Sequence, residues 1–287
     1  MKAHPLLSNP PLTRAAARWI AVFHWAGKRS LRLLQAAGWV LGWVTWLLSA
    51  SYRRHWRENT LQSGIDRRAA LSSVGAAGQM VAELPKLWFG SGVPTEWRGS
   101  ELIDAALDSG KSILFLTPHL SAFDLTVVAY AQRWGQIQPI TVLFQPPNKP
   151  QLGPLLAQGR NRPGVRAVPT DLSGVKGLLK ALKQGGVVGL LPDQVPPQGM
   201  GVAVPFFGRP AYTMTLASRL ADLADEVLLA SVERLSGARG FVIHVSKPDG
   251  ELPQGDAIAA TAVVNRWMEA LIRRNPGQYL WGYHRYK

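Results

Sequence analysis

Cysteine is missing altogether from the 287 residues. Its absence excludes a disulfide framework, a thiolate nucleophile and a cysteine-based zinc site. The six histidines are scattered and no H-E-x-x-H occurs, so the chain offers no zinc-enzyme motif. A G-x-S-x-G elbow, a Walker A sequence and a complete G-x-G-x-x-G are also lacking, which leaves serine hydrolase, P-loop and dinucleotide-binding readings without their motifs. There is no internal repeat and no low-complexity tract. Acidic residues are few: 18 Asp and Glu stand against 32 Lys and Arg, and the net charge of +14 calls for an acidic partner such as nucleic acid, anionic lipid or an acidic carrier protein.

What is abundant is tryptophan, and its distribution matters more than its number. Of eleven, Trp19, Trp25, Trp39, Trp43, Trp46 and Trp56 fall in the first 60 residues, the crowding expected where indole rings meet a membrane interface. Residues 33–50, LLQAAGWVLGWVTWLLSA, carry no charge and sit at the lower limit of about 20 residues for crossing a bilayer. Trp39, Trp43 and Trp46 share a helical face, and Gly38 and Gly42 form G-x-x-x-G. The stretch reads as a short span, an in-plane helix or a buried core helix. Lys28, Arg29 and Arg32 precede it and Arg53, Arg54 and Arg57 follow. With basic clusters on both sides the positive-inside rule gives no orientation, and a cleaved signal peptide does not fit. Residues 1–57 are therefore read as a basic, apolar membrane-anchoring region, and 58–287 as the functional domain.

From residue 60 onward short apolar runs alternate with helical periodicity. Strands are expected at Ser112–Leu116, Ile140–Phe144, Val187–Leu191, Val227–Val232 and Phe241–Val245. Helices are expected near 66–83, 100–108, 122–133, 172–184, 212–223 and 256–274. This alternation predicts an α/β fold, a mostly parallel or mixed sheet flanked by helices. Pro-rich QPPNKP (145–150) and VPPQGMG (195–201) read as loops that follow strands, where α/β proteins place their sites.

Four segments carry candidate chemistry. In TPHLSAFD (117–124), His119 and Asp124 are five positions apart, roughly 500° of helical rotation, so a single helix cannot bring them together. A strand ending at Leu116, a turn at Pro118 and His119, and a helix capped by Ser121 would place Asp124 at the third helical position, facing back toward His119. Two readings stand side by side: Asp124 orients an imidazole base, or Ser121 and Asp124 form a capping box without chemical duty. GRNRPG (159–164) sets Arg160 and Arg162 in a loop suited to a phosphate or carboxylate. GLLPDQVPPQG (189–199) puts Asp193 and Gln194 at a strand end. VPFFGRPAYT (204–213) lays Phe206 and Phe207, with Gly208 and Arg209, ahead of a helix, core packing being the default for the two rings.

The order of these segments, with RRHWRENTL (53–61) before them and NPGQYLWGYHRYK (275–287) after, resembles the bacterial lysophospholipid acyltransferase superfamily. Within it the chain is most similar to the late acyltransferases of lipid A biosynthesis, the lauroyl/myristoyl transferases. The resemblance covers roughly Arg53 to Lys287. It implies a glycerol-3-phosphate acyltransferase-like fold, His119 as base and Asp124 as its orienting acid. It implies Arg160, with Arg162, on a substrate phosphate, and Asp193, Gln194, Phe206, Phe207, Gly208 and Arg209 in the acceptor and acyl-binding region. No cofactor or metal is implied; the co-substrate would be a thioester of acidic acyl carrier protein or coenzyme A, and the acceptor a phosphorylated glycolipid at the cytoplasmic face of an inner membrane. One departure is that many lipid A late acyltransferases have Glu where Asp124 stands. A lysophospholipid or aminolipid acceptor is the alternative within the enzyme class. A basic membrane-surface module without catalysis is the alternative outside it. Nucleic-acid binding fits poorly, because the tryptophans gather around an uncharged run and not among the basic residues.

Overall fold

Apolar runs of four or five residues suit strands buried on both faces, and three of them form the centre of the molecule. In the computed structural model, which describes residues 13–144, 152–160 and 162–287, these are β2 (Ile113–Leu116), β3 (Ile140–Phe144) and β5 (Val187–Leu190). With β1 (Thr95–Arg98), β4 (Val165–Pro169), β8 (Glu226–Arg234) and β9 (Phe241–Ser246) they make a seven-stranded sheet in the order β1-β9-β8-β2-β5-β3-β4. All neighbours are parallel except the β8/β9 pair, so the sheet is the mostly parallel, mixed one expected.

Strand periodicity divides the core in two. Ile113 and Phe115 face a cluster built with α5 (Glu101–Asp108) and α6 (Asp124–Trp134). Leu114 and Leu116 face another built with α8 (Leu172–Lys183), α9 (Leu216–Ala221) and α10 (Ala257–Arg274). Between β5 and α9 runs a separate hairpin, β6 (Gly201–Phe206) and β7 (Arg209–Met214). The helix expected near 212–223 is thus a strand as far as Met214, followed by the short α9. β1 and β4 were not foreseen because both are edge strands: TEWR alternates half-buried and exposed, without the continuous apolar run of a central strand. The short helix α7 (Gly153–Arg160) was also missed. The expected loop 145–150 lies outside the described residues.

The N-terminal helices are α1 (Arg14–Gly27), α2 (Leu31–Leu48), α3 (Ala50–Ser63) and α4 (Arg67–Phe89). The boundary drawn at residue 57 falls inside α3. Glycines let α2 and α4 approach closely: a Cβ on Gly38 would lie 2.6 Å from Gln79 Cα, and one on Gly78 would meet the backbone of Gly38 and Gly42. Beside this seam Glu83 of α4 is fully buried. It accepts from Gln35 Nε2 of α2 at 2.8 Å and from Arg234 Nε and Nη2 of β8 at 2.6 and 2.7 Å. A bidentate Arg–carboxylate pair with a further amide donor satisfies a charge that burial would otherwise penalise.

Removing that carboxylate leaves the Arg234 guanidinium buried and unpaired. Glu83→Ala is therefore expected to cost about 3–5 kcal/mol in urea unfolding, whereas Lys111→Ala, at the solvent-exposed Lys111–Glu226 pair, should leave the midpoint near wild type.

Candidate active site

Adjacent strands β2 and β5 lead the chain in opposite directions. From β2 it passes through α6 to β3 on one side; from β5 it passes through the hairpin and α9 to β8 on the other. A crevice opens at the carboxyl ends of strands where the connections diverge in this way, and the segments after both strands meet there. Thr117 N still bonds Leu190 O at 3.1 Å, continuing the β2/β5 ladder. Pro118 then turns the chain and presents His119.

The partner of His119 is Asp193, 74 residues away. Its Oδ1 lies 2.7 Å from His119 Nδ1, and its Oδ2 accepts the His119 backbone N–H at 2.8 Å and the Tyr279 hydroxyl at 3.1 Å. Asp193 is 1% exposed. Burial pushes its carboxyl up, but the charge of His119 and the bonds from His119 and Tyr279 more than reverse this and hold it below the usual carboxylate range. Burial, reinforced by the neighbouring Asp193 charge, raises the Tyr279 phenol well above its ordinary value, so it stays a donor. With an ionised acceptor on Nδ1, the neutral form of the ring is the tautomer that protonates that nitrogen and leaves Nε2 its lone pair. Nε2 has no hydrogen-bond partner among the described residues.

Neither reading of Asp124 survives as drawn. It is the first residue of α6, its Oδ1 is 3.8 Å from Arg160 Nη2, and it makes no hydrogen bond to His119. Nor is there a capping box. Ser121 has φ 53° and a buried hydroxyl without a partner, and α6 begins two residues later than expected with no side-chain cap. The cause is backbone pairing with the C-terminal segment. Ser121 N bonds Gln278 O at 2.8 Å, Leu280 N bonds His119 O at 3.3 Å, and Leu120 and Tyr279 form an antiparallel bridge. This strap pairs with residues 119–121 and holds Ser121 in a left-handed conformation that a helix cannot continue through. Asp124 instead faces the crevice, partly buried. Burial raises its pKa, and Arg160, His119 and Arg162 moderate the rise. Asp193 and Asp124, the two carboxyl groups that feel His119, are thus shifted in opposite directions.

The crevice continues into a cavity of about 770 Å3, within the size range of ligand pockets. His119, Asp124, Arg160, Arg162 and Gln194 line it together. Arg160 ends α7 with its guanidinium 5.5 Å from the Phe144 ring centre and 5.8 Å from that of Trp88. Arg162 is tied by Nη2 to Trp88 O and Gly159 O at 3.1 and 2.9 Å, leaving Arg160 the freer cation. Burial lowers the Arg162 pKa against the opposing effect of Asp124. Beyond the polar mouth one arm runs between α6 and the sheet, walled by Phe115, Val128, Ile140 and Val142. Gly189 stands between Phe115 and Val142 in the same cross-strand row and contributes no side chain. A Cβ there would lie 3.2 Å from Val142 and 3.3 Å from Ile140.

Phe206, Phe207, Gly208 and Arg209 are placed elsewhere, off the cavity wall. Phe207 (φ 48°) and Gly208 (φ 77°) form the two-residue turn of the β6/β7 hairpin. Both rings are buried, as ordinary core packing predicts. The strained Phe207 is held from both sides: its N–H donates to Glu269 at 2.7 Å and its carbonyl accepts from Gln62 at 2.9 Å. Its ring centre lies 5.4 Å from that of Trp281; Tyr286 donates to Phe206 O, and Arg209 lies over Tyr286. The hairpin therefore buttresses the strap that shapes the His119 loop. Sequence reasoning missed Tyr279 as a site residue, although the PGQYLW motif that contains it was conspicuous.

Most of the chain is similar to proteins of one bacterial family. A sequence model of the bacterial lipid A biosynthesis acyltransferase family matches residues 71–287. The lipid A biosynthesis lauroyltransferase of Escherichia coli (strain K12) is 30% identical over 195 residues, 67% of this chain and 62% of that protein. A lipid A biosynthesis acyltransferase of Haemophilus influenzae is 25% identical over 242 residues, 79% and 70% of the two chains. The lipid A biosynthesis palmitoleoyltransferase of Escherichia coli (strain K12) is 28% identical over 157 residues, 53% and 50%. The chain thus spans less than two thirds of the lauroyltransferase it matches.

The depressed pKa of Asp193 has a consequence for stability. An acid whose folded value lies below its ordinary 3.8 contributes stability that is complete above that value and is lost as pH falls through the folded one. The unfolding free-energy difference between wild type and Asp193→Asn should shrink below about pH 4, as read by denaturant titration.

Proposed function

The chain belongs to the bacterial lipid A biosynthesis acyltransferase family, and on that footing we propose that it moves a fatty acyl chain from a thioester to a hydroxyl of a lipid A precursor. The observation that carries this is the His119–Asp193 pair, with Nε2 unpartnered, at the mouth of a cavity that is cationic outside and apolar within.

Nε2 takes the proton of the acceptor hydroxyl as its oxygen attacks the thioester carbonyl. The imidazolium formed is stabilised by the ionised Asp193 on Nδ1. Collapse of the tetrahedral intermediate breaks the C–S bond, and the departing thiolate takes the proton back from Nε2. No acyl-enzyme is required, in keeping with a chain that has no cysteine and no serine elbow. Arg160 and Arg162 suit a phosphate, which both a lipid A precursor and a carrier-linked or coenzyme A donor possess. The excess of basic residues favours an acidic acyl carrier protein as donor and an anionic inner membrane, with the catalytic domain on the cytoplasmic side. The acyl chain enters the arm beside Gly189.

Lipid A from cells lacking the gene, analysed by mass spectrometry, is expected to miss one acyl chain that wild type restores and His119→Ala does not. Unchanged lipid A would refute the acceptor and move the search to glycerophospholipids and aminolipids. Restoration by His119→Ala would refute catalysis. In purified enzyme, Asp193→Asn is expected to lower kcat about 10^2–10^4-fold with little change in KM, as when the orienting acid of a Ser-His-Asp triad is neutralised. Gly189→Val is expected to shift donor preference toward shorter chains in a competition assay, since its methyls would occupy the only gap in the Phe115–Gly189–Val142 row.

A further inference from the structure

A run of exposed apolar side chains on α2 plays no part in the site. Among the described residues, α2 is the one helix long and apolar enough to cross a membrane by length and composition. It is apolar on both faces, but the faces meet different surroundings. Leu31, Leu34, Gln35, Gly38 and Gly42 are buried. Leu33, Val40, Leu41, Val44, Leu47 and Leu48 form a stripe on the opposite side that no other described residue covers, with Val40 55%, Leu47 62% and Leu48 81% exposed. A stripe of this width and length on a stable helix implies an apolar partner.

Three features show how the buried face is committed. G-x-x-x-G, a motif associated with pairing of membrane-spanning helices, is used up internally: Gly38 and Gly42 receive Gly78 and the backbone of Val74 and Gln79 from α4. Gln35 shares the buried Glu83 with Arg234 of the central sheet. Lys86 of α4 donates to Gly27 O and Arg29 O just ahead of α2. Because α4 in turn packs on α6 and the 3-10 turn Pro276–Gln278 beneath the strap, α2 is rigidly part of the catalytic domain. To cross a bilayer it would have to carry the Glu83 carboxylate and the Arg234 guanidinium into hydrocarbon or break their bonds. Its 18 residues also span only roughly 27 Å, short of the 30 Å core.

Charge identifies what the free face meets. No Asp or Glu precedes Glu58, and Lys28, Arg29, Arg32, Arg53, Arg54 and Arg57 bracket α2 at both ends. Cations at both ends suit a helix lying flat, with both clusters on the headgroups of one leaflet. A second copy of the chain would bring the same cations against each other. Trp19, Val22 and Trp25 of α1 are also exposed, at spacings that put them on one helical face.

We propose that α2 lies in the plane of an anionic phospholipid leaflet, its Leu33–Leu48 stripe sunk among the acyl chains and its glycine face locked on α4, without crossing the bilayer. This rests on the membrane-surface reading of function given above and replaces a span by a flat anchor.

The absence of cysteine makes the test direct. Lys28→Cys and Arg54→Cys, both at exposed positions flanking α2, are made separately in the full chain and treated with a membrane-impermeant maleimide in right-side-out and inverted inner-membrane vesicles. The expected result is labelling of both from the same side. Labelling from opposite sides overturns the proposal while leaving the membrane-surface reading intact. Failure of the full chain to float with vesicles containing phosphatidylglycerol overturns both. A fluorophore on Val40→Cys should be quenched more strongly by lipids brominated near the headgroup than by those brominated near the chain end. The reverse order would indicate a span. Symmetric disulfide formation through Val40→Cys in those vesicles would put a second copy on this face and overturn the proposal as well.

Discussion

A carboxylate inside a protein must find donors or lose its charge, and Asp193 meets that demand with three. The donors come from two places: the backbone and ring of His119 after β2, and the hydroxyl of Tyr279 in the C-terminal strap. Asp193 itself follows β5. One buried charge therefore fixes the loops of two adjacent parallel strands and the end of the chain relative to each other. The imidazole is oriented as a by-product of satisfying the carboxylate. The hairpin turn at Phe207 and Gly208, remote from the cavity, matters through the same linkage, since it packs on Trp281 two residues beyond Tyr279.

Glu83 repeats the device where the N-terminal helices meet the sheet. There the donors come from a surface helix and the central sheet, and the effect is to weld the N-terminal helices to the domain that carries the site. Two buried acids in a strongly basic chain thus set two relations, imidazole to cavity and N-terminal helices to central sheet. The remaining acids are mostly on the surface, where pairing contributes little.

The cavity completes the chemistry by separating polarity along its length. Arg160 and Arg162 hold charge at the mouth, while the arm beneath α6 is walled by side chains of the sheet and deepened by the missing side chain at Gly189. An amphiphile whose reacting carbonyl joins a polar carrier to a hydrocarbon chain fits that division. The proteins related to this chain are named for lauroyl and palmitoleoyl transfer, acyl groups of different length handled within one family.

Local sequence determined what depends on neighbours along the chain. Short apolar runs bounded by turn residues specified the central strands, and the amphipathic stretches specified most helices. His119 and Gln194 were singled out after apolar strands and Arg160 and Arg162 in a segment punctuated by Gly and Pro, and the four line one cavity. The tertiary structure decided which carboxylate holds His119. Asp124 was the nearer candidate along the chain, but the register of β2 on β5 brings in Asp193 from 74 residues away, and pairing with residues 278–280 bends Ser121 out of the helix that would have turned Asp124 toward the imidazole. It also sent Phe206 and Phe207 into the core and turned G-x-x-x-G inward onto α4. The division has one physical reason: propensity and periodicity are properties of a segment, whereas a hydrogen-bond partner and a buried face exist only after distant segments have come into register.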